Sequence, residues 1–192
     1  VGSSEECSNL MSNETESSSI SCTSTSGTVS YALGTSYTCD PGDGPRTFYV
    51  LEEGTDTVSL IMNENLGDVV AWNSSGSNTG GPVTALAYLG SQTSSWTVDV
   101  SLPTGQQIAT AGGATSWTAD KTTSIIISGS WLYENLYSYQ LPYGYWTSTP
   151  NSGDSYYAWS VYSTGFLGNG LVNNTNYGVR PVITISKSNL TA

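Results

Sequence analysis

Apolar and polar residues alternate through 47–53 (TFYVLEE) and 57–64 (TVSLIMNE). A period of two belongs to a strand with one buried face. Val58, Leu60 and Met62 fall on one side, and Ser59, Ile61 and Asn63 on the other. The short connection contains Gly54, so the two runs are expected to form a hairpin. Residues 68–72 (DVVAW) are expected to extend that sheet, and 73–81 to be a polar loop. The period then changes. Pro82 suits a first helical position and Leu86 and Leu89 lie three apart, which predicts a helix over 82–89. A second helix is predicted over 103–111. Thr104 is its N-cap, Gln107 completes a capping box three residues on, and Gly112 is the stop. Residues 123–128 (TSIIIS) are too short and too uniformly apolar to assign, and 131–136 fit one more helical turn. Further on, Tyr157, Trp159 and Val161 share one strand parity, and Tyr156, Ala158, Ser160 and Tyr162 the other. Trp159 and Val161 are expected inward, Tyr156 and Tyr162 outward. Residues 179–186 form a final strand, where Pro181 favours an edge or a bulge.

The first 44 residues lack such periodicity. Glu5, Glu6, Asn9, Leu10 and Met11 fit one helical turn. Residues 17–28 are nearly all Ser and Thr, a composition that buries little and is expected to be loop. A short strand is expected within 31–39. The CDPGDG cluster at 39–44 is a turn and the expected boundary. It divides a Ser/Thr-rich N-terminal segment (1–44) from a folded domain (45–192).

Charge narrows the function. Four basic residues stand against 15 acidic ones in 192, for a net charge of −11. Nucleic acid requires a basic stripe, which is absent, and anionic membrane surfaces are disfavoured for the same reason. No stretch reaches the roughly 18 apolar residues of a membrane span. Histidine is absent, which removes Ser-His-Asp and Cys-His nucleophile pairs and imidazole zinc sites. The three cysteines, Cys7, Cys22 and Cys39, contain no CxxC pair, so neither metal binding nor thioredoxin-like redox is expected. One disulfide and one spare thiol is the natural count, with three pairings open. Cys7–Cys39 is favoured, because Cys22 lies in the Ser/Thr run. A disulfide, abundant Ser and Thr and few lysines together point to an extracellular or cell-surface protein. The sequence starts at Val1 without Met, as expected of a processed product or of a chain with an omitted upstream piece.

The C-terminal third carries the candidate chemistry. Nine of the 13 tyrosines lie at or beyond Tyr133, and 18 of the 28 residues in 151–178 are Asn, Ser, Gly or Tyr, with Asp154 the single charge. That is the composition of a paratope. Tyr supplies contact area at low entropic cost, and Ser, Gly and Asn supply adaptable hydrogen bonds. The competing reading is an ordinary Gly/Asn-rich loop region.

The order of pieces runs from a hairpin and a helix through the LPTGQQIA helix and GYWTSTP to YYAWSV and GVRPVI. It resembles the C-type lectin fold in its formylglycine-generating-enzyme-like branch, over about residues 46–186. In particular it resembles the variable proteins of diversity-generating retroelements. The resemblance implies an α+β fold with short antiparallel sheets, two flanking helices and paired terminal strands. It also implies a variable ligand-binding face, for which Ser155, Tyr156, Ser160, Tyr162, Phe166, Gly168, Asn169 and Leu171 are the candidate positions. Trp146 and Trp159 are then fixed core. The implied function is recognition of a protein or glycan ligand without catalysis. No cofactor or metal is expected. The N-terminal EEC, Ser/Thr spacer and YTCDPGDG followed by TFYVLE are similar to pilin-like surface proteins. That supplies the alternative of a filament subunit whose surface serves self-association; the hydrophobic N-terminal helix of those proteins is not in this sequence.

Other sites are weaker. The EPN or QPD triplet and WND of calcium-dependent sugar binding are absent, and Trp72-Asn73-Ser74 is a partial echo. Glu52, Glu53, Glu64 and Asp68 are expected to solvate hairpin ends. Formylglycine generation needs late cysteines, and none follows Cys39. Arg180 lies between Val179 and Pro181 in an apolar strand. An unpaired buried guanidinium would cost several kcal/mol, so Arg180 is expected to be structural, tying carbonyls or an acid beneath the loops.

Overall fold

The hairpin written into 47–64 forms the middle of the larger of two sheets. A computed structural model describes residues 20–136 and 140–192. The first four strands are β1 (Cys22–Ser24), β2 (Ser36–Cys39), β3 (Arg46–Glu53) and β4 (Thr57–Met62). Helix α1 (Val83–Gln92), β5 (Val100–Ser101), α2 (Gly105–Ala111) and β6 (Ile125–Ile126) follow. The chain continues with β7 (Gly144–Pro150), β8 (Tyr157–Tyr162), β9 (Phe166–Leu171), β10 (Tyr177–Gly178), β11 (Val182–Ser186) and β12 (Leu190–Thr191). The fold is therefore α+β, with two helices and two sheets among the described residues. The larger sheet has the order β12-β1-β2-β3-β4-β11-β5 and the smaller β10-β7-β8-β9-β6. Both are mixed rather than antiparallel throughout, because β12 runs parallel to β1 and β10 parallel to β7.

Three apolar clusters stack through these sheets. On one face of the larger sheet lie Phe48, Val50, Val58, Leu60, Met62, Ile183 and Ile185. Between the sheets, Leu51, Ile61 and Val182 meet Tyr145, Trp159, Val161 and Leu167, with Ile108 and Ala109 of α2 closing one side. Beyond the smaller sheet, Trp146, Ala158 and Val172 pack on Trp72, Leu102 and the Ala85–Leu89 stripe of α1. A sheet with clusters on both faces explains why Ile61 is as buried as Val58, Leu60 and Met62.

Local signals fix both helices. Thr104 accepts from the Gln107 backbone, the Gln107 side chain accepts from the Thr104 N–H, and Gly112 ends α2, as expected. Helix α1 begins after Pro82 and runs past Gly90 to Gln92. The 123–128 run yields the two-residue β6, and the expected turn at 131–136 is a single 3-10 turn over Ser130–Leu132.

Several expectations are corrected. Residues 68–72 are not a strand. Val70 makes one backbone bond to Tyr177 O and packs with buried Trp72 in the α1 cluster, so their apolarity reflects packing rather than a ladder. Pro181 lies just before β11, an interior strand between β4 and β5. Its carbonyl accepts from the Met62 N–H of β4, and its place ahead of the strand spares the ladder its missing N–H. The Ser/Thr run contains β1, because Cys22 is Cα partner and disulfide partner of Cys39. The bond is Cys22–Cys39, not Cys7–Cys39; Cys7 and the expected turn at 5–11 lie outside the described residues. β2 pairs with β3 across the expected 44/45 division, so 20–44 share the larger sheet.

Candidate functional site

The smaller sheet carries every candidate binding position except Ser155 and Tyr156, which lie in the loop leading into β8. Side chains alternate on β8, but its middle has a cluster on each side: Trp159 and Val161 face the inter-sheet core, Ala158 the α1 cluster. Ser160 and Gly168, expected on an open face, are buried. Each is corrected from ligand contact to sheet interior. Gly168 has a steric reason to be glycine. A Cβ there would stand 2.4 Å from Ser124 Oγ and 2.7 Å from the Tyr162 ring. The ring occupies that space, and Tyr162 Oη donates to Asn169 O at 2.6 Å.

The remaining positions surround the end of this sheet. Tyr156 is 63% exposed and Leu171 44% exposed; Ser155 is exposed, and Tyr162, Phe166 and Asn169 are half-buried. One row of cross-strand partners runs Tyr177, Gly144, Tyr162, Phe166, Ile126 across all five strands. Tyr177 and Tyr162 lie two strands apart, which alone would separate them by about 9–10 Å. Their ring centroids are 5.8 Å apart and nearly parallel, at 22°. Gly144, between them in that row, has no room for a Cβ, which would run into the Val161 carbonyl of β8. Tyr177 also rests on Trp146, with centroids 4.6 Å apart. Burial first, and then the Tyr162 hydroxyl beside it, push the Tyr177 phenol well above its ordinary pKa. Tyr177 therefore stays a neutral hydrogen-bonding group at physiological pH.

The loop that presents Ser155 and Tyr156 is fixed by two buried asparagines. Asn78 Nδ2 donates to Asn151 O (2.8 Å), Asp154 O (3.0 Å) and Tyr157 O (2.8 Å). Asn151 Nδ2 donates to Lys121 O and to Asn169 Oδ1, and Asn151 Oδ1 accepts from the Gly153 and Asp154 N–H groups. Asp154 Oδ1 in turn accepts from the Tyr156 N–H at 2.9 Å. A Gly/Ser/Asn loop is thus held in one shape by side-chain amides that replace a backbone ladder.

Two clefts open beside these residues. An aromatic one of about 330 Å³ is lined by Tyr143, Tyr162, Ser163, Thr164 and Tyr177. A polar one of about 350 Å³ is lined by Thr122, Ser124, Asn151, Asp154, Tyr157 and Asn169. Of the candidate positions, Tyr162 lines the first and Asn169 the second; Ser155, Tyr156, Phe166 and Leu171 line neither.

Trp146, Trp159 and Arg180 lie beneath this surface, all fully buried. Trp146 Nε1 donates to Val70 O (2.8 Å) and Trp159 Nε1 to Ala119 O (3.0 Å). Arg180 donates to Asn65 Oδ1, Leu132 O and Glu134 O, and its guanidinium lies 4.6 Å from the Tyr145 ring centre. Burial lowers its pKa, opposed by Tyr145, Glu134, Glu64 and Tyr49. The Glu134 carboxylate accepts from Tyr49 Oη. Arg180 thus bonds the backbone carbonyls of Leu132 and Glu134 rather than facing either cleft.

A third cleft, of about 480 Å³, includes Leu51, Glu52, Glu53, Thr104 and Gln107 in its lining. Its two acids have partners: Glu52 accepts from Gln107 Nε2, and Glu53 pairs with Lys187 at 2.6 Å. Among the described residues no group of three or more His, Cys, Asp or Glu is placed to hold a metal ion, and no helix is long and apolar enough to cross a membrane.

Sequence reasoning missed Asn78, Asn151, Tyr143 and Tyr177. The asparagines act on carbonyls up to 79 residues away, a relation without local signature. Tyr143 and Tyr177 flank the aromatic cleft from a strand approach and a two-residue strand, too short for periodicity to mark.

A family model described as a domain of unknown function (DUF6273) matches residues 99–187. That span covers β5 through β11, including all residues lining the aromatic and polar clefts, and leaves out β1 to β4. No curated protein and no solved structure matches the chain.

Proposed function

We propose that this chain is an extracellular or surface-displayed recognition protein. In this reading a C-type lectin-like domain of the retroelement variable type carries the binding face. Ser155, Tyr156, Tyr162, Phe166, Asn169 and Leu171 form that face, and it recognises a protein or glycan without catalysing a reaction. The observation that carries the reading is the separation of support from surface. Fully buried Trp146, Trp159 and Arg180 and the amides of Asn78 and Asn151 hold a frame. Exposed Tyr156 and Leu171 and half-buried Tyr162 and Phe166 stand at the surface of that frame. The Cys22–Cys39 disulfide supports an oxidising compartment.

Deep sequencing of the coding region from a natural population tests this. Substitutions concentrated at Ser155, Tyr156, Tyr162, Phe166, Asn169 and Leu171, with Trp146, Trp159, Asn78 and Arg180 constant, are expected. Variation spread evenly over exposed positions of both sheets would refute it.

A further inference from the structure

We propose that the aromatic cleft between Tyr143, Tyr162 and Tyr177 is a subsite for the ring of a neutral hexopyranose. The proposal rests on the recognition reading above and names the class of ligand for it.

Three properties of the cleft lead there. Its floor is a rigid aromatic platform. The Tyr162 and Tyr177 rings stack, Tyr177 rests on Trp146, and Tyr162 is anchored through its hydroxyl to Asn169 O. A platform already locked in place loses little side-chain entropy when a ring settles on it. Its rim is rich in hydroxyls with unused capacity. Tyr143 is 41% exposed, and among the described residues the Tyr143, Ser163 and Thr164 hydroxyls have no hydrogen-bond partner. They can donate to and accept from the hydroxyls of a sugar, each of which does both. The lining also has no charge. A phosphate, carboxylate or ammonium group would enter with no counter-charge and lose hydration. An apolar face edged by neutral hydroxyls matches a pyranose, whose C–H face is apolar and whose equatorial groups are hydroxyls.

Size decides between a sugar and a peptide. At about 330 Å³ the cleft is near the lower limit of small-ligand sites, roughly 300–1,000 Å³. It takes one ring. A proline-rich peptide also favours uncharged tyrosine grooves, but needs a track several residues long. The row of partners continues beyond Tyr162 to Phe166 and exposed Ile126, on the far side from Tyr177, where a second sugar unit or an aglycone would lie.

The experiment is a titration of the isotope-labelled chain, followed by amide NMR, with methyl β-glucoside, β-galactoside, α-mannoside and N-acetylglucosaminide. Saturable shifts are expected at Ser163, Thr164 and Tyr177 for at least one of them, with millimolar Kd. Tyr143→Ala should weaken binding about tenfold by removing one aromatic wall. Tyr162→Phe should keep the stack and most of the affinity. Val29→Ala, at an exposed position between β1 and β2 of the larger sheet, should leave Kd unchanged. Absence of cleft shifts for every glycoside up to about 50 mM overturns the sugar assignment, as do equal losses in Tyr143→Ala and Val29→Ala. Shifts at the same amides with a proline-rich decapeptide and with no glycoside make the cleft a peptide groove and likewise reject it. These outcomes are separable from the recognition reading, which the pattern of natural substitutions tests without any ligand.

Discussion

Asn78 is one side chain on which the shape of a whole loop depends. Its Nδ2 carries two protons and lies within 2.8–3.0 Å of three carbonyl oxygens, those of Asn151, Asp154 and Tyr157. The Asn78 N–H also donates to Ser155 O at 2.7 Å, which survives replacement of the side chain. Asn78→Ala therefore deletes the amide alone. The two stronger bonds contribute about 0.5–1.5 kcal/mol each, and carbonyls left buried without a donor cost about 1–3 kcal/mol apiece, less where water enters. A total loss of about 2–4 kcal/mol follows. For a chain of this size each kcal/mol lowers Tm by roughly 2–4 °C, so a fall of about 4–16 °C is expected. Urea denaturation at neutral pH measures the free energy, and hydrogen exchange of the 151–157 amides reports where it goes. Exchange should accelerate in that loop more than in β3 or β4, because local opening no longer breaks the Asn78 bonds. Asn78→Asp should be worse than Ala, since a carboxylate faces three carbonyl oxygens. A change below about 0.5 kcal/mol, or exchange that rises equally in both sheets, would refute the role given to this amide.

Gly168→Ala places a methyl 2.4 Å from Ser124 Oγ and 2.7 Å from the Tyr162 ring. Overpacking of this kind costs about 1–3 kcal/mol and should broaden the Tyr162 ring resonances as the ring is pushed aside, as denaturation and aromatic NMR can show. Removing the disulfide by Cys22→Ser with Cys39→Ser opens a loop of sequence separation 17. That should cost about 3 kcal/mol by chain entropy, read as a lower urea midpoint. Hydrogen bonding to Arg46 holds Asp43 down at about 2, well below the 3.8 of a free carboxylate. A group with a depressed folded pKa stabilises above its unfolded value and loses that contribution as pH falls towards about 2. Acid titration should show part of the stability disappearing from about pH 4 downward, and that part should be missing in Asp43→Asn. Tyr49 behaves in the opposite sense. Burial and the Glu134 carboxylate raise it to about 12, so its contribution is complete below pH 10 and fades as pH climbs from about 10 to about 12. Phenolate absorbance should place one late-titrating group there, absent in Tyr49→Phe.

Features set by neighbours in the chain were legible. The α2 cap needs only Thr104, Gln107 and Gly112, and the 47–64 hairpin needs only its alternation and a short turn. Parity assigned Trp159 and Val161 to an interior face, but it could not tell that the opposite face of β8 is covered as well. Whether Ser160 is open depends on where the α1 cluster lies, and that is decided by residues 72–102. The same reason hid the role of Val70 to Trp72, whose apolarity looked like strand and is packing. The Ser/Thr run read as loop because little in it can be buried. A covalent bond to Cys39, with a strand already beside β3, orders it instead. At the site, composition marked the Tyr/Asn/Ser/Gly stretch, while its geometry rests on the long-range amides of Asn78 and Asn151.

The parallel pairing of β1 with β12 bears on mechanics. Cys22 is partnered with Leu190 and Thr23 with Thr191, and the Thr23 and Thr191 hydroxyls meet at 3.3 Å. Tension applied to the chain before Cys22 and after Thr191 pulls two parallel neighbours lengthwise past each other. Their cross-links are then loaded together in shear, not peeled one at a time. The Cys22–Cys39 bond carries the same load directly into β2 and so into the middle of the larger sheet. The smaller sheet, with the aromatic and polar clefts, lies off that force path.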